Sequence, residues 1–181
     1  TCVRRAMQFK EMADEAEFYQ VHLETLVVDR TAALQQDIER LQGTLLETTL
    51  SFRAILHELT AALEARDIES FGHTERVVAY ATRLATQLGL DHDELVSVEH
   101  GAMLHDIGTI FITEDILRKP TKLTDEEWAL VRRHPEYGGR LLRRCGMLAD
   151  AAPIVEQHHE RWDCMGYPKG LRGEEIDLRA R

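Results

Sequence analysis

The sequence predicts an all-α protein, with a long N-terminal coiled-coil helix followed by a helical bundle. No proline precedes Pro120, and Gly43 is the one glycine before Gly72, so nothing strongly interrupts a helix in the first seventy residues. Beyond about residue 66, glycines, prolines and helix-capping residues punctuate the chain, as they do in a compact bundle. We therefore expect a coiled-coil helix over residues 1–62 and a second domain over residues 63–181.

The N-terminal helix carries apolar side chains at alternating steps of four and three residues, which is the heptad spacing of a coiled coil. A parallel homodimer through this helix is the interpretation that we favour, and a single amphipathic helix folded against the second domain is the alternative. The acidic residues Glu15, Glu24 and Asp37 are expected on a solvated helix face. The predicted seam consists of Val27, Thr31, Leu34, Ile38, Leu41, Leu45, Thr48, Phe52, Ile55 and Leu59.

The second domain is predicted to contain helices with short loops between them. Asp91 with Glu94, and Thr124 with Glu127, have the spacing of capping boxes at helix starts. No segment alternates between apolar and polar residues in the manner of a strand. The helices are expected near residues 68–88, 92–107, 125–134, 136–145 and 150–161.

The composition excludes several classes of function. A net charge of −10 over 181 residues argues against binding a nucleic-acid polymer, which requires a basic surface. No apolar stretch approaches the roughly 20 residues of a membrane span. The three cysteines form no CxxC pair or disulfide framework, which favours a reducing, cytoplasmic setting. Thr1 opens a polar segment without the features of a secretory signal, so we expect the sequence to be part of a longer protein.

Pairs of histidines and acids mark a candidate metal centre. Glu69 and His73 are four residues apart on a predicted helix, so they share one helical face. His105 and Asp106 follow the apolar run of residues 101–104, and a buried charged aspartate needs a partner such as a metal ion. Taken alone, the first pair is more typical of a surface contact.

A further set of histidines is predicted at helix ends. His158 and His159 are adjacent, and neighbouring helical side chains point about 100° apart, which suits two metal ions better than one. His134 precedes Pro135, and by itself it is more typical of a capping or core histidine. Nitrogen and oxygen donors without a thiolate fit iron or manganese better than structural zinc, although imidazole suits several metals. Such a centre can activate water for the hydrolysis of a phosphoester, but this chemistry is not unique to it.

The residues from about Leu59 to Arg181 resemble a known family, the HD-GYP domains of the HD superfamily of metal-dependent phosphohydrolases. The first matching stretches are residues 66–69, His73, residues 76–77, 104–108, 116–117, 119–120 and 122–124. The most specific stretch, similar to the family signature HHExxDGxGYPxGL, reads His158-His159-Glu160-Arg161-Trp162-Asp163-Cys164-Met165-Gly166-Tyr167-Pro168-Lys169-Gly170-Leu171.

This resemblance implies an enzyme that hydrolyses cyclic di-GMP to pGpG or GMP at two or three divalent metal ions, most often iron or manganese. It assigns catalytic roles to Asp106, which would bridge metals, and His105. It also implies an upstream receiver or other sensory domain that signals through the N-terminal helix, and GGDEF-domain proteins as partners. The implied metal ligands are Glu69, His73, His105, Asp106, His134, His158 and His159, and the implied substrate-binding residues are Gly166, Tyr167, Pro168 and Lys122.

The sequence departs from the family pattern in three places. Thr109 follows Gly108 where many members have lysine, which removes a cation that can contact a phosphate. Cys164 stands where glycine permits an unusual backbone angle, so the loop is expected to shift. The family pattern also continues past Arg181 with an aspartate that completes the metal shell, so we expect the sequence up to Arg181 to be inactive by itself.

These departures leave two alternatives open beside a hydrolytic enzyme. The first is a degenerate HD-GYP module that binds cyclic di-GMP or a partner protein without turnover, which Thr109 and Cys164 favour. The second is a structural dimerisation domain whose histidines pair with acids in place of metals.

Overall fold

The computed structural model describes residues 2–66 and 72–181, and it confirms the predicted all-α fold. Within those residues there is no strand, and Asp163 and Arg172 form an isolated bridge. The chain divides into two compact units, Thr1–Arg53 and Ala54–Arg181. None of the described helices combines the length and the apolarity that crossing a membrane requires.

The first helix, α1, runs over Cys2–Glu64 without a break, as the absence of proline predicts. Five apolar residues of the predicted seam in the first unit are exposed, with Ile38 at 49% and Leu45 at 68% of full exposure, and Phe52 is half-buried. The two seam threonines, Thr31 and Thr48, donate their hydroxyl hydrogen to the carbonyl four residues earlier. Their polar groups are thus satisfied within the helix, so threonine is tolerated on an apolar seam.

The second unit begins with the end of α1, where Leu56 and Thr60 are buried. The Thr60 hydroxyl lies 2.9 Å from the carbonyl of Leu56 and 3.3 Å from that of Met103. This contact joins the end of α1 to the segment that precedes the candidate site. The bundle helices that follow are α2 His73–Gln87, α3 His92–Met103, α4 Glu114–Leu117, α5 Asp125–Val131, α6 His134–Arg143 and α7 Ala152–Gln157.

Both predicted capping boxes are confirmed, but several helices end earlier than predicted. Both capping boxes are present, with Asp91 at the start of α3 and Thr124 at the start of α5. The helix predicted over 92–107 ends at Met103, and a 3-10 helix, Ile107–Phe111, follows it. The helix predicted over 150–161 is a 3-10 helix, Gly146–Ala151, continued by α7 to Gln157. The predicted histidines therefore lie at or just beyond helix ends.

Small residues allow the helices around the candidate site to approach closely. Ala85 of α2, Val98 of α3 and Ile154 of α7 form an apolar cluster. A Cβ atom on Gly101 would overlap the side chain of Ile154, so glycine is required for α3 to pack on α7. A Cβ atom on Gly108 would overlap the carbonyl of His134. Glycine at this position therefore allows the segment after Asp106 to pack against the start of α6.

Candidate metal centre

Three histidines of the second unit are held by the same local contact. His105, His134 and His158 each place Nδ1 near the carbonyl oxygen three residues earlier, at 2.7, 2.8 and 2.8 Å. The last carbonyls of a helix have no intrahelical partner, so an Nδ1–H group can satisfy them. Donation there fixes the orientation of the ring and leaves Nε2 as an electron-pair donor. The accepting carbonyls are those of Ala102 in α3, Val131 in α5 and Val155 in α7.

The carboxylate of Asp106 lies where these three rings meet. Its Oδ1 atom is 3.1 Å from Nε2 of His134 and 3.6 Å from Nε2 of His158. Its Oδ2 atom is 3.0 Å from Nε2 of His105. The Nε2 atoms of His134 and His158 are 3.2 Å apart. One carboxylate thus faces three imidazole nitrogens that come from separate parts of the chain.

His159 extends this cluster to a donor set that could hold a metal ion. Its ring centroid lies 4.1 Å from that of His158 and 5.1 Å from that of His134. Asp106 and these three histidines each offer one ligand atom, and the four atoms lie within 4.8 Å of one another. Ligands about 2.0–2.2 Å from one ion can be up to about 4.4 Å apart, so small side-chain adjustments would suffice. The nitrogen and oxygen donors therefore fit a divalent cation.

The electrostatics of the cluster favour the metal-binding protonation states of Asp106, His158 and His159. Burial raises the pKa of Asp106, but the neighbouring imidazoles of His105, His134 and His158 outweigh burial and hold that pKa far below the ordinary carboxyl value. Burial lowers the pKa of His158, and it lowers the pKa of His159 to about 3 with the charges of His158 and His134 contributing. At neutral pH the aspartate is ionised and His158 and His159 are neutral.

His73 lies beside the cluster, on the His105 side. It is the first residue of α2, and its ring centroid is 5.8 Å from that of His105. The carboxylate of Glu64, at the end of α1, accepts hydrogen bonds from the backbone N–H groups of Gly72 and Thr74 and so holds the start of α2. Glu69, which was predicted on the same helical face as His73, lies outside the described residues.

The Gly166, Tyr167 and Pro168 segment closes over His159. A Cβ atom on Gly166 would overlap the backbone of residues 159–161, so glycine is required for this close approach. The Tyr167 N–H donates to the carbonyl of His159 at 3.2 Å. The Tyr167 ring stacks on the His159 ring with centroids 4.5 Å apart and an interplanar angle of 25°. The predicted substrate-binding segment therefore borders the cluster.

Glu160 holds this loop in place, a function that sequence reasoning missed. Its two carboxylate oxygens accept hydrogen bonds from the backbone N–H groups of Lys169 at 2.7 Å and Leu171 at 2.9 Å. The loop between them contains Tyr167. Glu160 directly follows His158 and His159 in the sequence, and both of its carboxylate oxygens are engaged by the loop backbone.

Three cations of the segment before α6 differ in their surroundings. Lys122, a predicted substrate-binding residue, is exposed in the loop before α5. Lys119 forms an ion pair with Glu127, with both carboxylate oxygens 2.7 Å from Nζ. Arg132, which sequence reasoning did not select, lies with its guanidinium carbon 5.7 Å from the centroid of the Tyr167 ring. The sequence feature that could have drawn attention to Arg132 is its position two residues before His134.

The two departures from the family pattern have different structural outcomes. Thr109 is buried in the 3-10 helix that follows Asp106, at 7% of full exposure. Cys164 adopts the positive φ angle of 59° that the family's glycine would adopt freely. The loop thus has, at Cys164, a backbone angle that glycine adopts more easily, and the Tyr167 ring stacks on His159.

A helical bundle that gathers histidines and one aspartate at helix ends is the architecture of a metal-dependent hydrolase domain. Comparison with known proteins agrees, because the family model described as HD domain matches residues 57–181. The chain is 40% identical over 157 residues to the cyclic di-GMP phosphodiesterase response regulator RpfG of Xanthomonas campestris, covering 86% of this chain and 41% of that protein.

Two further relatives extend the comparison. A 3′3′-cGAMP-specific phosphodiesterase 2 of Vibrio cholerae is 38% identical over 131 residues, covering 71% of this chain and 25% of that protein. A cyclic di-GMP phosphodiesterase of Thermotoga maritima is 40% identical over 126 residues, covering 68% and 34%. The chain spans between a quarter and about two fifths of the length of these three relatives. This chain belongs to the HD domain family of phosphohydrolases, in its HD-GYP branch.

Proposed function

We propose that this protein hydrolyses a cyclic dinucleotide, cyclic di-GMP to pGpG or GMP, at a centre of two or three divalent metal ions. The observation that carries the proposal is the position of Asp106, whose carboxylate faces the Nε2 atoms of His105, His134 and His158. Hydrolysis of a phosphodiester requires stabilisation of negative charge on oxygen, and divalent ions in such a centre supply it and lower the pKa of bound water.

The roles of the protein's own residues follow from their positions. Asp106 would bridge two metal ions, because both of its oxygens face imidazole nitrogens. His105, His134, His158 and His159 would complete the shells of these ions. His73 would serve the ion on the His105 side, and Glu69 would join it if a third ion binds. Iron or manganese is the proposed metal, since the cluster offers nitrogen and oxygen donors without a thiolate.

The substrate class is supported by what the relatives are named for. Two of the three relatives above are named for cyclic di-GMP and the third for 3′3′-cGAMP. Tyr167 would bound the substrate pocket from its position on His159, with Gly166 and Pro168 setting the path of the loop. Lys122 would contact the substrate from the loop before α5.

The wider assembly is part of the same proposal. Exposed apolar residues of α1, such as Ile38, Leu41 and Leu45, form a seam for a parallel homodimer. A receiver or other sensory domain would precede this helix, which the name of the response regulator relative supports. The proposed setting is the cytoplasm, and GGDEF-domain proteins are proposed partners.

A second candidate function is binding of cyclic di-GMP, or of a partner protein, without turnover. Two observations favour it. Thr109 is buried and uncharged next to the centre, and Cys164 holds a backbone angle that costs an L-residue about 1 kcal/mol. A module that has lost hydrolysis could retain the histidine cluster and the Tyr167 loop as its binding surface.

One experiment separates these possibilities. The full-length natural protein, purified without added metal or chelator, is analysed for bound metal, then supplied with Mn²⁺ or Fe²⁺ and incubated with cyclic di-GMP and with 3′3′-cGAMP. Release of pGpG or GMP supports the enzyme. Tight binding with intact substrate at saturating metal supports the binding module and contradicts hydrolysis. Absence of bound metal, together with no response to added metal, supports a purely structural histidine cluster.

A further inference from the structure

Arg132 lies beside the Tyr167 ring, which borders the candidate centre. It caps the C-terminus of α5, is exposed, and lies two residues before His134. Its guanidinium carbon is 5.7 Å from the centroid of the Tyr167 ring and 6.0 Å from that of Trp128. Contacts with two aromatic rings restrict a long side chain that would otherwise sample many rotamers.

The Tyr167 ring links this cation to the metal ligands. The ring stacks on His159 at 4.5 Å and lies 6.4 Å from His134, centroid to centroid. The side chains therefore lie in the order Arg132, Tyr167, His159. The exposed guanidinium is at one end of this row, and the donor cluster is at the other. A ligand that reaches the cluster past Tyr167 meets the guanidinium on its way.

Arg132 also differs from the neighbouring arginines in its ion pairing. Arg161 is paired with Asp163 at 2.6 Å, and Arg133 lies 3.8 Å from Glu136. Among residues 2–66 and 72–181, no carboxylate forms an ion pair with Arg132. Its charge is therefore available to a ligand within the described part of the chain. In a protein of net charge −10, such a cation offsets the repulsion that an anionic ligand meets.

We propose that Arg132 contacts a phosphate of the substrate and contributes to its binding, with the Tyr167 ring holding the guanidinium in position. This inference rests on the proposed function, because it takes the substrate to be a cyclic dinucleotide with two phosphodiesters. A guanidinium presents several N–H donors in one plane and binds phosphate oxygens in pairs, which lysine does not. Thr109 is buried and uncharged, so it offers no positive charge to a phosphate. Exposed Arg132 is the side chain to which we assign this contact.

The test compares two neighbouring arginines in the full chain. Arg132→Met keeps the length and apolar contacts of the side chain but removes its charge. Arg133→Met is the matched control, because its guanidinium lies over a different ring, that of Tyr137, at 4.9 Å. Both variants lose one positive charge, so general electrostatic effects on substrate approach are equal. Arg132→Lys keeps the charge and removes the planar set of donors.

The measurements are the kinetic constants for cyclic di-GMP, the Kd of its phosphorothioate analogue, and bound metal. We expect Arg132→Met to raise KM and this Kd about ten- to a hundredfold, the range for a charge-assisted hydrogen bond, with metal content unchanged. Arg132→Lys should recover part of the loss, and Arg133→Met should stay within about twofold of wild type.

The outcomes separate this inference from the proposed function. If wild type binds the analogue without hydrolysing cyclic di-GMP, and Arg132→Met weakens binding, hydrolysis fails and the phosphate contact stands. Equal constants for the two methionine variants would overturn the contact and leave hydrolysis intact. Loss of bound metal in Arg132→Met would also overturn it, because the arginine would then support the centre's structure. A wild type that neither binds nor hydrolyses overturns both.

Discussion

The carboxylate of Asp106 and the imidazole of His134 face each other across the centre, with Oδ1 3.1 Å from Nε2. His134 is buried and its Nδ1 is already engaged by the carbonyl of Val131. The Nε2 atom therefore faces the carboxylate, in a position from which both groups could bind one cation. This relationship makes Asp106 the residue on which metal binding should depend most.

Asp106→Asn is expected to abolish metal binding, because an amide removes the negative charge that two cations would share. Wild-type protein should gain about 2.7 kcal/mol of stability at a Mn²⁺ concentration a hundred times its Kd. The variant should show no change in Tm with Mn²⁺, no bound metal and no hydrolysis. Asp93→Asn, an exposed aspartate on α3, is the control and should respond to Mn²⁺ as wild type does. A Mn²⁺-dependent Tm in Asp106→Asn would contradict the assignment.

Glu160→Ala should detach the loop that carries Tyr167 while leaving the metal ligands in place. The substitution removes the acceptor of the Lys169 and Leu171 N–H groups, so we expect a loss of about 1–3 kcal/mol in the free energy of unfolding. Activity should fall with bound metal retained. Urea unfolding and metal analysis measure these effects, with the exposed Glu174→Ala as control. A loss of metal equal to that in Asp106→Asn would show that Glu160 is itself a ligand.

The sequence predicted the all-α fold, and it singled out Asp106, His134, His158 and His159, whose possible ligand atoms lie together in the structure. Helical periodicity and capping boxes depend on neighbours three or four residues away, so Asp91 and Thr124 marked helix starts correctly. His158 and His159 were selected because neighbouring helical side chains point about 100° apart, which suits two metal ions. The ends of α3 and α7 were placed too late, since the carbonyls that end these helices are satisfied by histidine side chains.

Other features could not be predicted from the sequence, because they depend on contacts between distant parts of the chain. Arg132 and Arg133 are equivalent in sequence, yet one guanidinium lies over Tyr167 and the other over Tyr137. Glu156 precedes the ligand pair much as Glu160 follows it, but Glu156 forms an ion pair with Arg143 of α6. Such pairings depend on how α5, α6 and α7 pack, which local sequence patterns do not specify.

Ile38→Lys should weaken the proposed homodimer by placing an unpaired charge in its apolar seam. We expect the dimer dissociation constant to rise at least about tenfold, since burying such a charge costs more than about 1.4 kcal/mol. Sedimentation equilibrium measures this constant. Gln36→Lys introduces the same charge at an exposed position off the seam and should leave it within about twofold. A wild type that stays monomeric at every concentration would rule out the dimer.

Asp177→Asn should destabilise the protein in a pH-dependent way. A hydrogen bond from the side chain of Arg179 lowers the pKa of Asp177 below its ordinary value of 3.8, despite partial burial. The stabilisation is thus present above that value and is lost as pH falls through the lowered pKa. We expect a loss of about 0.5–1 kcal/mol at pH 7 that becomes smaller at pH 3, below the ordinary carboxyl pKa of 3.8. Urea unfolding at both pH values measures it, and the exposed Asp115→Asn should show little difference at either.

Cys164→Gly should stabilise the protein, because Cys164 has a φ angle of 59° that an L-residue adopts at a cost of about 1 kcal/mol or more. Glycine removes that cost but loses more chain entropy on folding, so the net gain is expected to be about 0.5–1 kcal/mol. Cys145→Gly is the matched control. Cys145 has an ordinary φ of −107°, so glycine there should destabilise by a similar amount. If the backbone at Cys164 is strained, urea unfolding will show a higher free energy of unfolding for Cys164→Gly and a lower one for Cys145→Gly. If both substitutions destabilise the protein, the left-handed angle at Cys164 is not strained.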